Sequence, residues 1–164
     1  MSAAAPVTSL DLDRYLTAAG AAAASFARLW QSLWDQPYAS PALLEMSRLT
    51  LARLHRDPAE QAAPNPHVPG GLLTPETRQL VLAGELSSPL LQPLQRAVLQ
   101  FTECYGLDPQ AIPDELAESV KCHLGEAGLV FLIEALGCLD GRIRAARVLR
   151  GLRSRSGAEN VHVP

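Results

Sequence analysis

Proline placement constrains this chain most. Ser40-Pro41, Asp57-Pro58, Thr74-Pro75, Ser88-Pro89 and Pro113-Asp114-Glu115 each sit at the edge of an apolar run, not inside one. Proline lacks an N–H and fixes φ near the helical value. It therefore fits the first turn of a helix and is excluded from helix interiors and central strands. Between these marks the apolar residues recur at intervals of three and four. Leu12, Leu16, Ala19, Ala23, Phe26, Trp30, Leu33 and Trp34 are one such series. Val, Ile and Thr are sparse, and no segment alternates with period two, which excludes a sheet-based domain. The expectation is an all-α fold of about seven helices.

The starts and stops give boundaries. Thr8 or Ser9 caps a first helix running to about Gln36. A second spans Pro41 to about Arg56 and stops at Asp57-Pro58. A third opens at Thr74-Pro75 and ends at Gly84, and Ser88-Pro89 to Pro93 leads into a fourth, through Tyr105. After a loop from Gly106 to Pro113, a fifth covers Pro113 to His123. Two more cover Glu126–Leu139 and Asp140–Leu152, with a kink at Gly141. Asp57 to Leu73, with Pro58, Pro64, Pro66, Pro69, Gly70 and Gly71, reads as one long irregular loop. Residues 1–153 form one domain, and 154–164 are expected to fray.

Composition narrows the function. Apolar residues make up 48% and charged residues 19% of the 164, against about 25% charged in an average globular chain. Disorder is excluded, and low surface charge points to burial against other copies. The most apolar stretch, Leu129 to Leu139, holds Glu134 and is shorter than the roughly 20 residues of a membrane span. With no signal segment and no paired cysteines the expected location is cytoplasmic. Thirteen Arg against one Lys points to a GC-rich bacterial genome. Residues 1–141 carry 8 basic and 16 acidic groups, net −8. Residues 142–164 carry six Arg against Glu159, net +5. A nucleic-acid binder would show a broad basic face, so none is expected as a partner. Arg142 to Arg155 reads as a solvated last helix whose cations suit the negative end of the helix dipole.

Thiol and metal chemistry have little to work with. Cys104, Cys122 and Cys138 form no Cys-x-x-Cys, and Cys122-His123 point about 100° apart on a helix. His55, His67, His123 and His162 include no His-x-x-x-His pair. His55, Asp57, Glu60 and His67 are a four-ligand set on paper only, and Glu159-x-x-His162 lies in the tail. No metal and no cofactor are expected. The second helix is apolar round more than half its circumference, so it should be largely buried. Glu45 and Arg48 then face two readings: a partly buried ion pair, or a pocket in which Glu45 carries a proton at a raised pKa.

The series Leu43-Leu44-Glu45-x-x-Arg48-Leu49-x-x-Ala52-x-Leu54 resembles the helix preceding the redox motif of the carboxymuconolactone decarboxylase and alkylhydroperoxidase-D-like proteins. Three further segments are similar to that family: Arg96-Ala97-Val98-Leu99-Gln100-Phe101-Thr102-Glu103, Pro113-Asp114-Glu115-Leu116, and Leu139-Asp140-Gly141-Arg142 within Leu132 to Gly151. The likeness covers Pro41–Gly151, about two-thirds of the chain. It implies a helical bundle that assembles as trimers or hexamers, with lactone-acid decarboxylation or dithiol peroxide reduction as its chemistry. In the peroxidase branch two cysteines stand where this chain has Asp57 and Glu60, and a histidine where it has Pro64; Glu45 matches. Carboxylates cannot replace a thiolate nucleophile or form a disulfide.

Three functions remain open. One is an oligomeric module binding small molecules or proteins. Another is a non-redox enzyme acting on small organic acids, with Glu45, Asp57 and Glu60 as catalytic carboxylates and Arg48, His55 and His67 binding substrate. The third is a thiol antioxidant using an out-of-pattern cysteine.

Overall fold

The computed structural model describes residues 5–159, with side chains through residue 154. The described residues are mainly helical, with no strand among them. The helices are α1 (Asp13–Leu16), α2 (Gly20–Trp34), α3 (Pro41–Leu54), α4 (Pro58–Ala62), α5 (Pro75–Ala83), α6 (Pro93–Leu107) and α7 (Asp114–Glu159).

The proline-marked starts of α3 and α5 behave as their sequences imply. Ser40 Oγ accepts the Leu43 N–H at 3.2 Å, and Thr74 Oγ1 accepts the Thr77 N–H at 3.2 Å. Each cap satisfies a donor left orphaned in the first turn. Ser88-Pro89 leads into α6 without opening it. The start falls at Pro93, where the Gln92 N–H donates to Gln95 Oε1 at 2.8 Å.

Three boundaries differ from the expectation. The first helix is broken at Gly20, whose φ of 62° only glycine adopts without strain, and a 3-10 turn over Thr17–Ala19 separates α1 from α2. The stretch after Asp57 is not wholly irregular. Asp57 Oδ1 accepts the Glu60 N–H at 3.2 Å and caps the five-residue α4. Pro58 thus starts a helix as well as ending one. Lastly, the sixth and seventh helices run on without the expected kink at Gly141, and α7 is interrupted only at Gly125 (φ 73°, ψ 174°), in the gap expected between the fifth and sixth. Gly141 stays helical between Leu139 and Ile143, both buried in the core. Residues 154–159 continue α7, and 160–164 lie outside the described residues.

α3 is the axis of the molecule. It packs on α4, α5, α6 and α7, and every residue from Leu43 to Ala52 is buried. Leu43, Leu44 and Leu51 join Trp30, Phe101, Leu132 and Leu136 in the main core. Met46 and Leu49 join Val81, Leu86, Leu91 and Leu99 in a second core. Apolar burial of this kind contributes about 25 cal/mol per Å². A helix covered on all sides must also satisfy its polar side chains internally. Ser47 and Thr50 do so by donating to Leu43 O (3.1 Å) and Met46 O (3.0 Å). Glu45 and Arg48 need partners from other elements.

α7 is also long and apolar enough to cross a membrane by length and composition, with mean hydropathy 1.5 over its best 18-residue window. The sequence expectation, based on Leu129 to Leu139 alone, underestimated that length. In the fold α7 packs on α3 and α6 and carries a wholly buried arginine, Arg142.

Candidate functional site

Arg48 holds the centre of a buried charge cluster. Its Nε donates to Glu45 Oε2 and its Nη2 to Glu45 Oε1, both at 2.8 Å. This fork-on-fork geometry is the strongest form of the pair. Three residues of separation put the two side chains on one face of α3. The remaining nitrogen, Nη1, donates to Glu60 Oε2 and to the Glu60 carbonyl, both at 2.9 Å. The short α4, set by its Asp57 cap, delivers Glu60 to that point.

Each carboxylate has further partners. The Ser9 N–H donates to Glu60 Oε1 at 2.5 Å and Ser9 Oγ donates to Oε2 at 2.7 Å. Asn65 Nδ2 donates to Glu45 Oε2 at 2.6 Å, and Arg78 Nη1 stands 3.5 Å from Glu45 Oε1. Arg150 Nη2 donates to Asp57 Oδ2, Arg147 lies 3.9 Å from the same oxygen, and Arg150 Nη1 lies 3.8 Å from Glu60 Oε1. Exposure is 1% for Glu45, 3% for Asp57, and 0% for Glu60 and Arg48.

Electrostatics follow from that burial. Desolvation is the largest influence on Glu60 and raises its carboxyl above the ordinary 4.5, against the Ser9 hydrogen bonds and the Arg48 charge. For Arg48, burial opposes the charge, but the hydrogen bonds and charges of Glu45 and Glu60 outweigh it and hold the pKa above the ordinary value. Arg48 stays a cation, and its charge works against the effect of burial on Glu60.

The six residues expected at the site therefore divide. Glu45, Arg48, Asp57 and Glu60 converge. His55 does not: its Nε2 lies 2.5 Å from Asp140 Oδ1 on α7, beside Arg144, whose Nε donates to Asp140 Oδ2 at 2.6 Å. His67 stacks on Trp34 with ring centroids 4.9 Å apart and planes within 3°, and burial lowers its pKa from 6.5. It reaches the cluster through its backbone alone. The His67 N–H donates to Asn65 Oδ1 at 2.9 Å, and Asn65 in turn holds Glu45. The paper set of His55, Asp57, Glu60 and His67 is thereby dispersed among other partners.

Ser9, Asn65, Arg78, Arg142 and Arg150 complete the network and were not singled out by the sequence. The Arg-rich end of α7 offered one signal, but it read as a solvated face. Instead Arg142 is fully buried. Its Nε donates to Ser9 O at 2.8 Å, its Nη1 to Asp13 Oδ1 at 2.8 Å, and its guanidinium lies 4.2 Å from the Trp30 ring. Such a contact over an indole face supplies a cation–π attraction.

Outside the cluster, a cleft of about 590 Å³ lies between the N-terminal segment and α4, lined by Leu10, Asp13, Ala59, Ala62 and Pro66 among others. Glu45, Asp57, Glu60 and Arg48 are absent from its lining. Cys122 is exposed, Cys104 partly buried and Cys138 buried.

No family model, curated protein or solved structure matches this chain. The likeness to the carboxymuconolactone decarboxylase family therefore rests on the sequence motifs of α3, α6 and α7.

Proposed function

We propose that this chain is a non-catalytic, self-associating helical binding module. In this reading it is a divergent carboxymuconolactone decarboxylase and alkylhydroperoxidase-D-like protein whose dithiol positions have become part of a charge clamp. The observation that carries the reading is the commitment of the Glu60 carboxylate. One oxygen accepts from the Ser9 N–H and the other from Ser9 Oγ and Arg48, with no exposed surface. A general acid must reach a substrate atom within hydrogen-bond distance. Glu45, Asp57 and Glu60 spend their oxygens on partners within the fold. Their role is to tie α3, α4, the N-terminal segment and α7 together.

Self-association is supported by the apolar side chains left at the surface. Leu29, Tyr38, Val130, Ile133 and Val148 are 42–61% exposed. Leu29, Tyr38 and Val130 line one cleft, and exposed apolar side chains gathered in this way mark interaction sites.

The test combines two measurements on the full chain. Aromatic and lactone carboxylates incubated with the chain should release no carbon dioxide. Light scattering at micromolar concentration should give a mass above the 17.6 kDa of one chain. Turnover abolished by Glu60→Gln in a folded variant would overturn the non-catalytic reading. A single 17.6 kDa species throughout would overturn self-association.

A further inference from the structure

α7 carries one exposed stripe whose residues are arranged with a two-fold symmetry of their own. Val130, Glu134, Gly137, Gly141, Arg144 and Val148 are all exposed and recur at intervals of three and four. At 3.6 residues per turn they share one face of the helix. The stripe is balanced about residue 139. Gly137 and Gly141 lie two residues to either side, Glu134 and Arg144 five, and Val130 and Val148 nine. One half is acidic and apolar, the other basic and apolar, with glycine at the centre.

We propose that this stripe is a two-fold interface between copies of the chain, with α7 lying antiparallel against α7 of a second copy. The proposal rests on the self-association reading above and names its surface. An isologous contact places residues equidistant from the axis opposite one another. Glu134 then meets Arg144 of the second copy, and the contact occurs twice. Val130 meets Val148, which are 54% and 61% exposed. Gly137 meets Gly141, and the missing side chains let the two helix axes approach more closely than the usual 8–10 Å or so. A parallel arrangement would set Glu134 against Glu134 and Arg144 against Arg144, so the charge pattern selects the antiparallel one.

The surroundings have the same complementarity. A cleft of about 610 Å³ lies beside Val130 and Glu134, with Glu126 on its wall. Another, of about 430 Å³, lies beside Arg144 and Val148, with Arg147 on its wall. The two-fold brings the acidic cleft of one copy to the basic cleft of the other. Arg144 already donates to Asp140, but 62% of its side chain remains exposed for a second carboxylate.

The experiment is a charge exchange read by sedimentation velocity on the full chain. Glu134→Arg and Arg144→Glu should each weaken association about tenfold or more, because each homodimer then holds two like-charge contacts. Mixed in equal amounts, the two variants should associate again, since in the mixed pair both contacts are of opposite sign. Gly141→Leu is the second probe. A Cβ built there meets nothing within 4 Å inside the chain, so the fold should survive, as shown by an unlowered Tm, while the bulky side chain separates the copies. Single variants that keep the wild-type assembly, or a mixture that stays dissociated, would overturn the interface and leave self-association standing on another surface. A wild-type chain that stays at 17.6 kDa at every concentration would overturn both readings. Wild-type protein that associates only with detergent micelles or lipid vesicles would overturn the interface in favour of a membrane-facing α7.

Discussion

Ser9 holds both oxygens of Glu60, one through its backbone N–H at 2.5 Å and the other through its hydroxyl at 2.7 Å, across 51 residues of chain. The Ser9 carbonyl accepts from Arg142 Nε at 2.8 Å. One small residue thus joins the N-terminal segment to both α4 and α7. Ser9→Ala removes the hydroxyl and keeps the N–H contact. Hydrogen bonds to charged groups contribute about 1.5–3 kcal/mol each. Urea unfolding of Ser9→Ala should show a loss in that range, with an unchanged denaturant slope. A loss below about 0.5 kcal/mol would mean that water replaces the hydroxyl at no cost.

Arg48 is the cation on which Glu45 and Glu60 both depend. Arg48→Met leaves two carboxylates buried without it. Breaking a buried ion pair from one side costs about 3–5 kcal/mol, whereas replacing all members by neutral groups is often close to neutral. The triple variant Glu45→Gln/Arg48→Met/Glu60→Gln should therefore be more stable than Arg48→Met alone. Equal or lower stability of the triple variant would show that the anions are held by their other partners.

Acid dependence follows from the raised Glu60 carboxyl. Burial makes the folded protein hold this proton more tightly than the unfolded chain, whose ordinary value is 4.5. The contribution of the group is therefore fully present below about pH 4.5 and declines as pH rises through the window up to the raised folded value. Glu60→Gln cannot titrate. The unfolding free energy of wild type relative to Glu60→Gln should fall as pH climbs through that window and then level off. A rise over the same window would mean that Arg48 and Ser9 outweigh burial.

Thiol reactivity should follow exposure. Burial raises the Cys138 thiol above its ordinary 9.0, whereas Cys122 is exposed. The thiolate is the reactive form. Iodoacetamide added to the native chain should modify Cys122 first and Cys138 last, as read by mass spectrometry. Catalytic peroxide consumption should be absent. Turnover that disappears in Cys122→Ser would restore the antioxidant function.

The sequence carried the helical class and the starts of α3 and α5, because proline and cap chemistry act within four residues. It also carried the burial of α3, since apolar residues round most of a helix leave no side for water. Glu45 with Arg48 was legible for the same local reason, a spacing of three on one helix. The gap between the expected fifth and sixth helices, where α7 breaks at Gly125, was legible as well. The break at Gly20 was not, since a glycine adopts positive φ only where packing on either side demands it, and Gly141 looks no different in sequence. Asp57 and Glu60 were singled out by a family likeness. Their placement as a cap and a clamp depends on the fold of the stretch after α3.

The partners of that clamp come from far along the chain, and no local pattern announces them. Ser9 lies 51 residues from Glu60, and Arg150 lies 93 from Asp57. The Arg-rich end of α7 shows the difference most plainly. By composition it is a solvated cationic helix. In the fold Arg142 is sealed beneath Trp30 and Arg150 reaches Asp57, whereas Arg144 remains at the surface. Helical periodicity states which residues share a face. Which face meets the core is decided when α3 and α4 present carboxylates that need cations, because a buried charge without a partner costs more than the fold can supply.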